Sequence, residues 1–287
     1  MTKARAGHRR ASKGPSVIAG WAAAAAPPPK LTVSQWAEEK RLLPETSGSR
    51  GARWRNAAAP YLAGIMDAAL EPTAKVIALM KGAQVGGSEA LHNVLGYHIE
   101  YDPCAMLFVH PTVEVAEEWS KERLSDLIRN TPALAEAVRE KRAPRSAREA
   151  HVEDGSTLKM KMFTGGYLAL GGANTPNTFA RRSVRLAFGD DVDRFPPVVG
   201  EEGDPADLLV NRTNTFYDGR AFFVSTPTTK GGRIDTLYQN SDRRRYFMPC
   251  LSCEHEDFLT WSDRAHFFIE WDDRDPETAR VVCPACG

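Results

Sequence analysis

The chain has 287 residues, 42% hydrophobic and 26% charged, and its 37 basic and 37 acidic side chains cancel to zero net charge. These fractions suit a soluble globular protein with one large α/β domain and a small appendage. No apolar run approaches the ~20 residues of a membrane span, and the basic N-terminus leads into an Ala/Pro tract rather than a signal core, which argues against membrane insertion and secretion.

Charge is unevenly placed. Residues 1–30 carry Lys3, Arg5, Arg9, Arg10, Lys13 and Lys30 with no acid and are expected to be disordered, because so little of them is buriable. A second basic cluster spans 139–148, whereas 254–277 is acidic. The basic stretches read either as phosphate-tracking patches or as ordinary solvated segments.

From Leu31 the pattern becomes globular. Residues 32–39 predict a short helix with Ser34 as its N-cap, and 60–70 a second helix with Leu62, Ile65, Met66 and Leu70 at helical spacing. A buried strand is expected at 76–80, a helix at 89–99, a strand at 105–109 and a long helix at 113–129. In that long helix Val113, Ala116, Trp119, Leu124 and Ile128 fall toward one side. Alternation over 157–163 predicts an edge or half-buried strand, and 184–188 and 221–224 predict two more strands. Strands separated by helices imply a mostly parallel sheet covered on both faces, with ligands at the carboxyl ends of the strands.

Three of those ends carry unusual sequence. The first, Lys81-Gly82-Ala83-Gln84-Val85-Gly86-Gly87-Ser88, has the outline of a phosphate-binding loop. In such loops backbone N–H groups curl around phosphates, a lysine neutralises them and a hydroxyl holds Mg²⁺. Here Gly87 stands where the lysine belongs and Lys81 opens the loop instead. A loop wrapping phosphates brings its first and seventh positions to the same ligand, so Lys81 is the candidate cation, aided by the start of the following helix. A tight turn without a ligand is the alternative. The second end, Gly189-Asp190-Asp191-Val192-Asp193, clusters carboxylates that repel unless solvated or countered by a cation. In an ATPase Asp190 would orient Mg²⁺ together with Ser88, and Asp191 would serve the attacking water. The third, Ser225-Thr226-Pro227-Thr228, reads as a sensor of the terminal phosphate or as a simple turn.

Cys250-x-x-Cys253 and Cys283-x-x-Cys286 have the spacing of two zinc knuckles, closing a four-thiolate shell that leaves no open catalytic position. His255 is expected at the surface and Cys104 in the core.

In order and content these segments resemble the ATPase portion of phage terminase large subunits of the lambda gpA type. The matching stretches are SQWAEEKRLL (34–43), RWRNAAAPYLAGIMDA (53–68), VIALMKGAQVGGSEAL (76–91), LFVHPT (107–112), RLAFGDDVDRFP (185–196), FVSTPTTKGGRI (223–234) and the cysteine pairs. The resemblance implies a P-loop NTPase fold of the RecA/ASCE type over 31–245 and a zinc-ribbon-like element over 246–287. It implies an ATP- and Mg²⁺-dependent motor that packages duplex DNA in the cytoplasm of the bacterial host. Its partners would be a small terminase subunit, a portal and procapsid, and further copies of itself. The displaced lysine is usual in that family. Asp191 departs from it, standing where a glutamate is the rule. The nuclease region that follows the zinc motif in the family is not expected in this chain. The competing readings are a weakened prophage remnant that binds DNA or a partner without turnover, and a helicase-like enzyme, for which no second set of motifs is present. Arg181 or Arg182 would be candidates for stabilising transition-state charge.

Overall fold

The computed structural model describes residues 30–44, 51–139 and 157–287. The basic tail before Lys30 and the basic cluster after Arg139 lie outside the described residues.

The central element is a six-stranded sheet. Its strands are β1 (Val76–Met80), β2 (Ala105–His110), β3 (Met160–Phe163), β4 (Gly166–Gly172), β5 (Leu186–Asp190) and β6 (Arg220–Ser225), in the order β1-β6-β5-β2-β4-β3. Every pairing is parallel except the β3–β4 edge hairpin. The side-chain period of two splits the sheet into an apolar pair of faces. Ile77, Leu79, Phe222 and Val224 face helix α3 (Gly87–Glu100) through its Leu91 and Val94. Leu107, Ala187, Ala221 and Phe223 face the other way, into a core with Phe179 of α7 (Asn177–Ala180), Leu209 of α8 (Pro205–Thr213) and Ile234 of α9 (Arg233–Gln239). Helices therefore cover both faces, as expected of a parallel sheet.

Helix α1 (Val33–Lys40) packs on α3 at close range. A Cβ on Gly96 would lie 2.2 Å from the Trp36 ring, so only glycine admits that indole, and its Nε1–H donates to Glu100 at 2.8 Å. The cap of α1 is Thr32 rather than Ser34: Thr32 and Gln35 form a reciprocal capping box, while the Ser34 hydroxyl donates to Asp67 at 2.8 Å. Asp67 ends α2 (Tyr61–Asp67), within the expected second helix.

Two further expectations shift, and one strand was not expected. Strand β1 is half-exposed rather than buried, because it lies at the edge of the sheet. The long helix is three pieces, α4 (Val113–Trp119), a π-helical turn (Ser120–Leu124) and α5 (Ser125–Asn130), followed by α6 (Pro132–Arg139). Within α5 Leu127 is buried, whereas Ile128 is only partly so. Strand β4 was not readable as a strand, since glycines bracket it. They are required by contact: a Cβ on Gly166 would meet the Cys104 carbonyl at 2.3 Å, and one on Gly172 the Val113 nitrogen at 2.3 Å.

The C-terminal residues form two antiparallel pairs, β7 (Phe247–Pro249) with β8 (Glu256–Phe258) and β9 (Phe268–Asp272) with β10 (Asp275–Val282). Among the described residues no helix is long and apolar enough to cross a membrane.

Candidate nucleotide site and metal centre

Register brings the three unusual strand ends together. Met80 pairs with Ser225, and Val224 pairs with Asp190, so the ends of β1, β6 and β5 lie level and adjacent. At ordinary strand spacing the outer two ends are about 10 Å apart. The glycine-rich loop is hooked to its neighbour at once, because Lys81 N–H donates to the Ser225 carbonyl at 3.1 Å.

The loop leaves the strand with Gly82–Val85 exposed, passes through left-handed backbone at Gln84 and Gly86, and enters α3 at Gly87. The first N–H groups of a helix lack partners within it, so this turn presents donors to the loop's concavity. Tyr61 braces the loop from α2 by donating its hydroxyl to the Val85 carbonyl at 3.0 Å. A Cβ at Gly87 would fall 2.2 Å from Cδ and 2.8 Å from Cε of Lys81. The lysine stem thus lies across position 87. The glycine that replaces the usual lysine is the one that makes room for the displaced one. Ser88 sits half-buried in the first turn of α3, its hydroxyl without a hydrogen bond among the described residues.

Asp190 ends β5 and is pushed up to about 6, first by burial and then by the like charge of Asp191. His92, Lys81 and the Asp191 N–H (3.1 Å) oppose that rise. Asp190 and Lys81 therefore feel each other across the strand ends. Asp191 adopts left-handed backbone, φ 53° and ψ 46°, which aspartate tolerates better than most residues.

At the third end, the Ser225 hydroxyl is consumed by the protein. It accepts from Asp193 N–H and donates to the Thr226 carbonyl, both at 3.2 Å, and the residue is 1% exposed. Ser225 is therefore an anchor of the loop, and Thr226, half-exposed, carries the available hydroxyl. Arg181 and Arg182 are exposed, and Arg182 lies over the Tyr167 ring.

Sequence reading missed a polar network behind the loop. Arg41, 1% exposed, reaches Glu89 of α3 at 2.9 Å, and Glu89 meets His92 Nδ1 at 3.3 Å. Trp119 Nε1–H donates to His92 Nε2 at 3.2 Å, which leaves Nδ1 to carry the proton toward Glu89. Burial alone would raise Glu89, but His92 and Arg41 prevail and hold it down at about 2. His110, at the end of β2, is pushed down to about 3 by burial and the nearby His92, so it stays neutral. The Glu-x-x-His spacing was visible, but Arg41 lies 48 residues from Glu89 and nothing local pointed to it.

The four paired cysteines converge. Their sulfurs lie within 4.8 Å of one another, with Cys250–Cys286 at 3.8 Å and Cys253–Cys283 at 3.7 Å. The edge of a tetrahedron with ~2.3 Å zinc–sulfur bonds is about 3.8 Å, so the cage fits Zn²⁺. N–H groups of Ser252 and Ala285 point at Cys250 and Cys283 at 3.4 Å each, supporting thiolate character. Backbone donors pull the Cys250 thiol down to about 6, while the other sulfurs push Cys286 up to about 12. Four thiolates this close need a cation. The His255 side chain is 40% exposed, as expected, and Cys104 is buried, its thiol pushed up to about 12 by burial.

A family model described as phage terminase large subunit gpA, ATPase domain, matches residues 48–287. The terminase large subunit of Enterobacteria phage P21 is 31% identical over 263 residues, 91% of this chain and 40% of that protein. That of Escherichia phage lambda is 28% identical over 261 residues, 89% of this chain and 39% of that protein. The crystal structure of the HK97 bacteriophage large terminase superposes on 72% of this chain and 40% of that one, with TM-score 0.51 and 13% identity, a likeness of fold. The chain thus spans about two-fifths of the length of the P21 and lambda relatives, and it belongs to the family of gpA ATPase domains of phage terminase large subunits.

Proposed function

We propose that residues 31–245 form a P-loop ATPase of the RecA/ASCE type, the motor domain of a terminase that drives viral DNA into procapsids. The observation carrying this reading is the Lys81 stem folded over Gly87 beside level strand ends that hold Asp190 and Asp191. Lys81 and the N–H groups of Gly82 through Ser88 bind the ATP phosphates. The Ser88 hydroxyl and Asp190 would hold Mg²⁺, which would supply charge neutralisation at the terminal phosphates. Asp191 orients the attacking water and takes its proton, and Thr226 faces the terminal phosphate. Residues 246–287 act as a zinc-ribbon-like element whose four cysteines would hold Zn²⁺, which would tie the two knuckles together. The partners are duplex DNA, a small terminase subunit, the portal of a procapsid and other copies of the chain, in the cytoplasm of an infected or lysogenic bacterium.

The test is Mg²⁺-dependent ATP hydrolysis, stimulated by duplex DNA. Asp191→Asn should lose about a hundredfold or more in kcat. Turnover unchanged in that variant would overturn the assignment of Asp191. A second reading, ATP binding without turnover, draws support from the short Asp191 at the glutamate position. Tight ATP binding with no phosphate release by the unaltered chain would select it.

A further inference from the structure

Asp193 carries no role in the chemistry proposed above, yet its carboxylate accepts three hydrogen bonds from two other segments. Its Oδ2 accepts from Thr228 N–H at 2.8 Å and from the Thr228 hydroxyl at 3.1 Å, and its Oδ1 accepts from Ile234 N–H at 2.7 Å. Its own N–H donates to the Ser225 hydroxyl at 3.2 Å. One residue of the acidic loop is thereby joined to the end of β6, to the hydroxyl-bearing loop and to the first turn of α9.

The anchor is firm at its far end. Ile234 is wholly buried in the core beneath the sheet, which ties the first turn of α9 to that core. From the same turn, Arg233 returns bonds to the Val192 carbonyl at 2.6 Å, the Phe195 carbonyl at 3.2 Å and the Pro196 carbonyl at 2.9 Å, while pairing with Asp204 at 2.9 Å. Space is matched too: a Cβ on Gly232 would come 2.8 Å from Asp193 Oδ2. The left-handed turn at Asp191 is thus held between the Asp190 strand end and the Asp193 clasp, with Arg194 N–H closing on the Asp191 carbonyl at 2.9 Å.

We propose that Asp193 is a positioning residue that locks the Asp191 loop and the Thr226 loop into one body. Charge-assisted bonds to three donors give it the stiffness the role needs. Among the described residues it makes no hydrogen bond to the glycine-rich loop or to Lys81, so it governs the water-handling side of the site and leaves phosphate binding alone. This rests on the ATPase reading given above for Asp191, but the clasp itself is testable without turnover.

Asp193→Asn keeps the shape and replaces one acceptor oxygen by a donor. Two readouts apply, and Thr228→Val, which deletes only the hydroxyl bond, guards against a variant that simply unfolds. Amide exchange at Thr228, Ile234 and Asp191–Arg194 should quicken about tenfold or more in Asp193→Asn and less in Thr228→Val, with the 81–88 loop unaffected. In DNA-stimulated turnover kcat should fall about tenfold or more while KM for ATP stays within about twofold. Unchanged exchange at those amides overturns the clasp. A parallel change in KM and kcat, or an unchanged kcat, overturns its role in positioning. If the unaltered chain fails to hydrolyse ATP, the ATPase reading falls and the exchange result still decides whether Asp193 holds the two loops together.

Discussion

At the scale of single residues, charge placement is set by who can move aside for whom. Lys81 reaches across the loop only because position 87 has no side chain. That exchange was legible in the sequence, since the missing lysine and the extra one stood six positions apart in a single loop. The spent hydroxyl of Ser225 was not legible, because its partner Asp193 is brought to it by pairing of distant strands. Asp190 gives a pH test. Its folded-state value of about 6 exceeds the ordinary 3.8 through burial and the Asp191 charge, so it favours the folded chain when protonated. That contribution is full below about pH 4 and lost as pH rises through about 6. Without Mg²⁺, Asp190→Asn should therefore be more stable than the unaltered chain at pH 7.5, by up to about 3 kcal/mol, and no more stable at pH 4. Denaturant unfolding at the two pH values checks this, and equal differences at both would contradict the burial of a charged Asp190.

At the scale of elements, strands and helices with strong periodicity were readable, and those shaped by contact were not. The helix after β2 was readable from its apolar stripe, but its π turn at Ser120–Leu124 was not, and Leu127 is the buried residue beyond it. Strand β4 hid behind glycines that neighbouring backbone demands. The seating of α3 likewise depends on a distant partner, the Arg41–Glu89–His92–Trp119 network that fixes its first turn. Arg41→Met should cost about 2 kcal/mol, below the range for a fully buried pair because Glu89 keeps some contact with solvent. Glu89, held near 2 against an ordinary 4.5, contributes stability that is present above pH 4.5 and lost as pH falls toward 2. The variant's acid limb should be flatter over that window, as read by urea unfolding between pH 2 and 6. A limb as steep as the parent's would show that Arg41 does not sustain the pair.

At the scale of the whole molecule, a parallel sheet gathers loops from residues 81–88, 190–194 and 225–228 on one rim, while a cysteine cage forms from residues 36 apart at its widest. Both features were announced by sequence, the first by three polar strand ends and the second by two Cys-x-x-Cys units. The order that makes β6 the neighbour of both β1 and β5 was not, because strand order follows from packing. The cage should bind one zinc per chain by elemental analysis. Its removal by a strong chelator, or by Cys286→Ser, should expose the amides of β7–β10 to exchange and leave ATP binding at 81–88 unchanged. Zinc retained by Cys286→Ser would contradict a four-thiolate site.

The claim on which the rest depends is that Lys81 supplies the phosphate charge that position 87 has given up. Calorimetric titration of Mg²⁺·ATP into the unaltered chain, Lys81→Ala, and Lys81→Ala combined with Gly87→Lys addresses it. Affinity should drop about tenfold or more in the single variant, the loss of a charge-assisted contact, and return in part when the lysine is restored at position 87. Wild-type affinity in Lys81→Ala would contradict the claim outright.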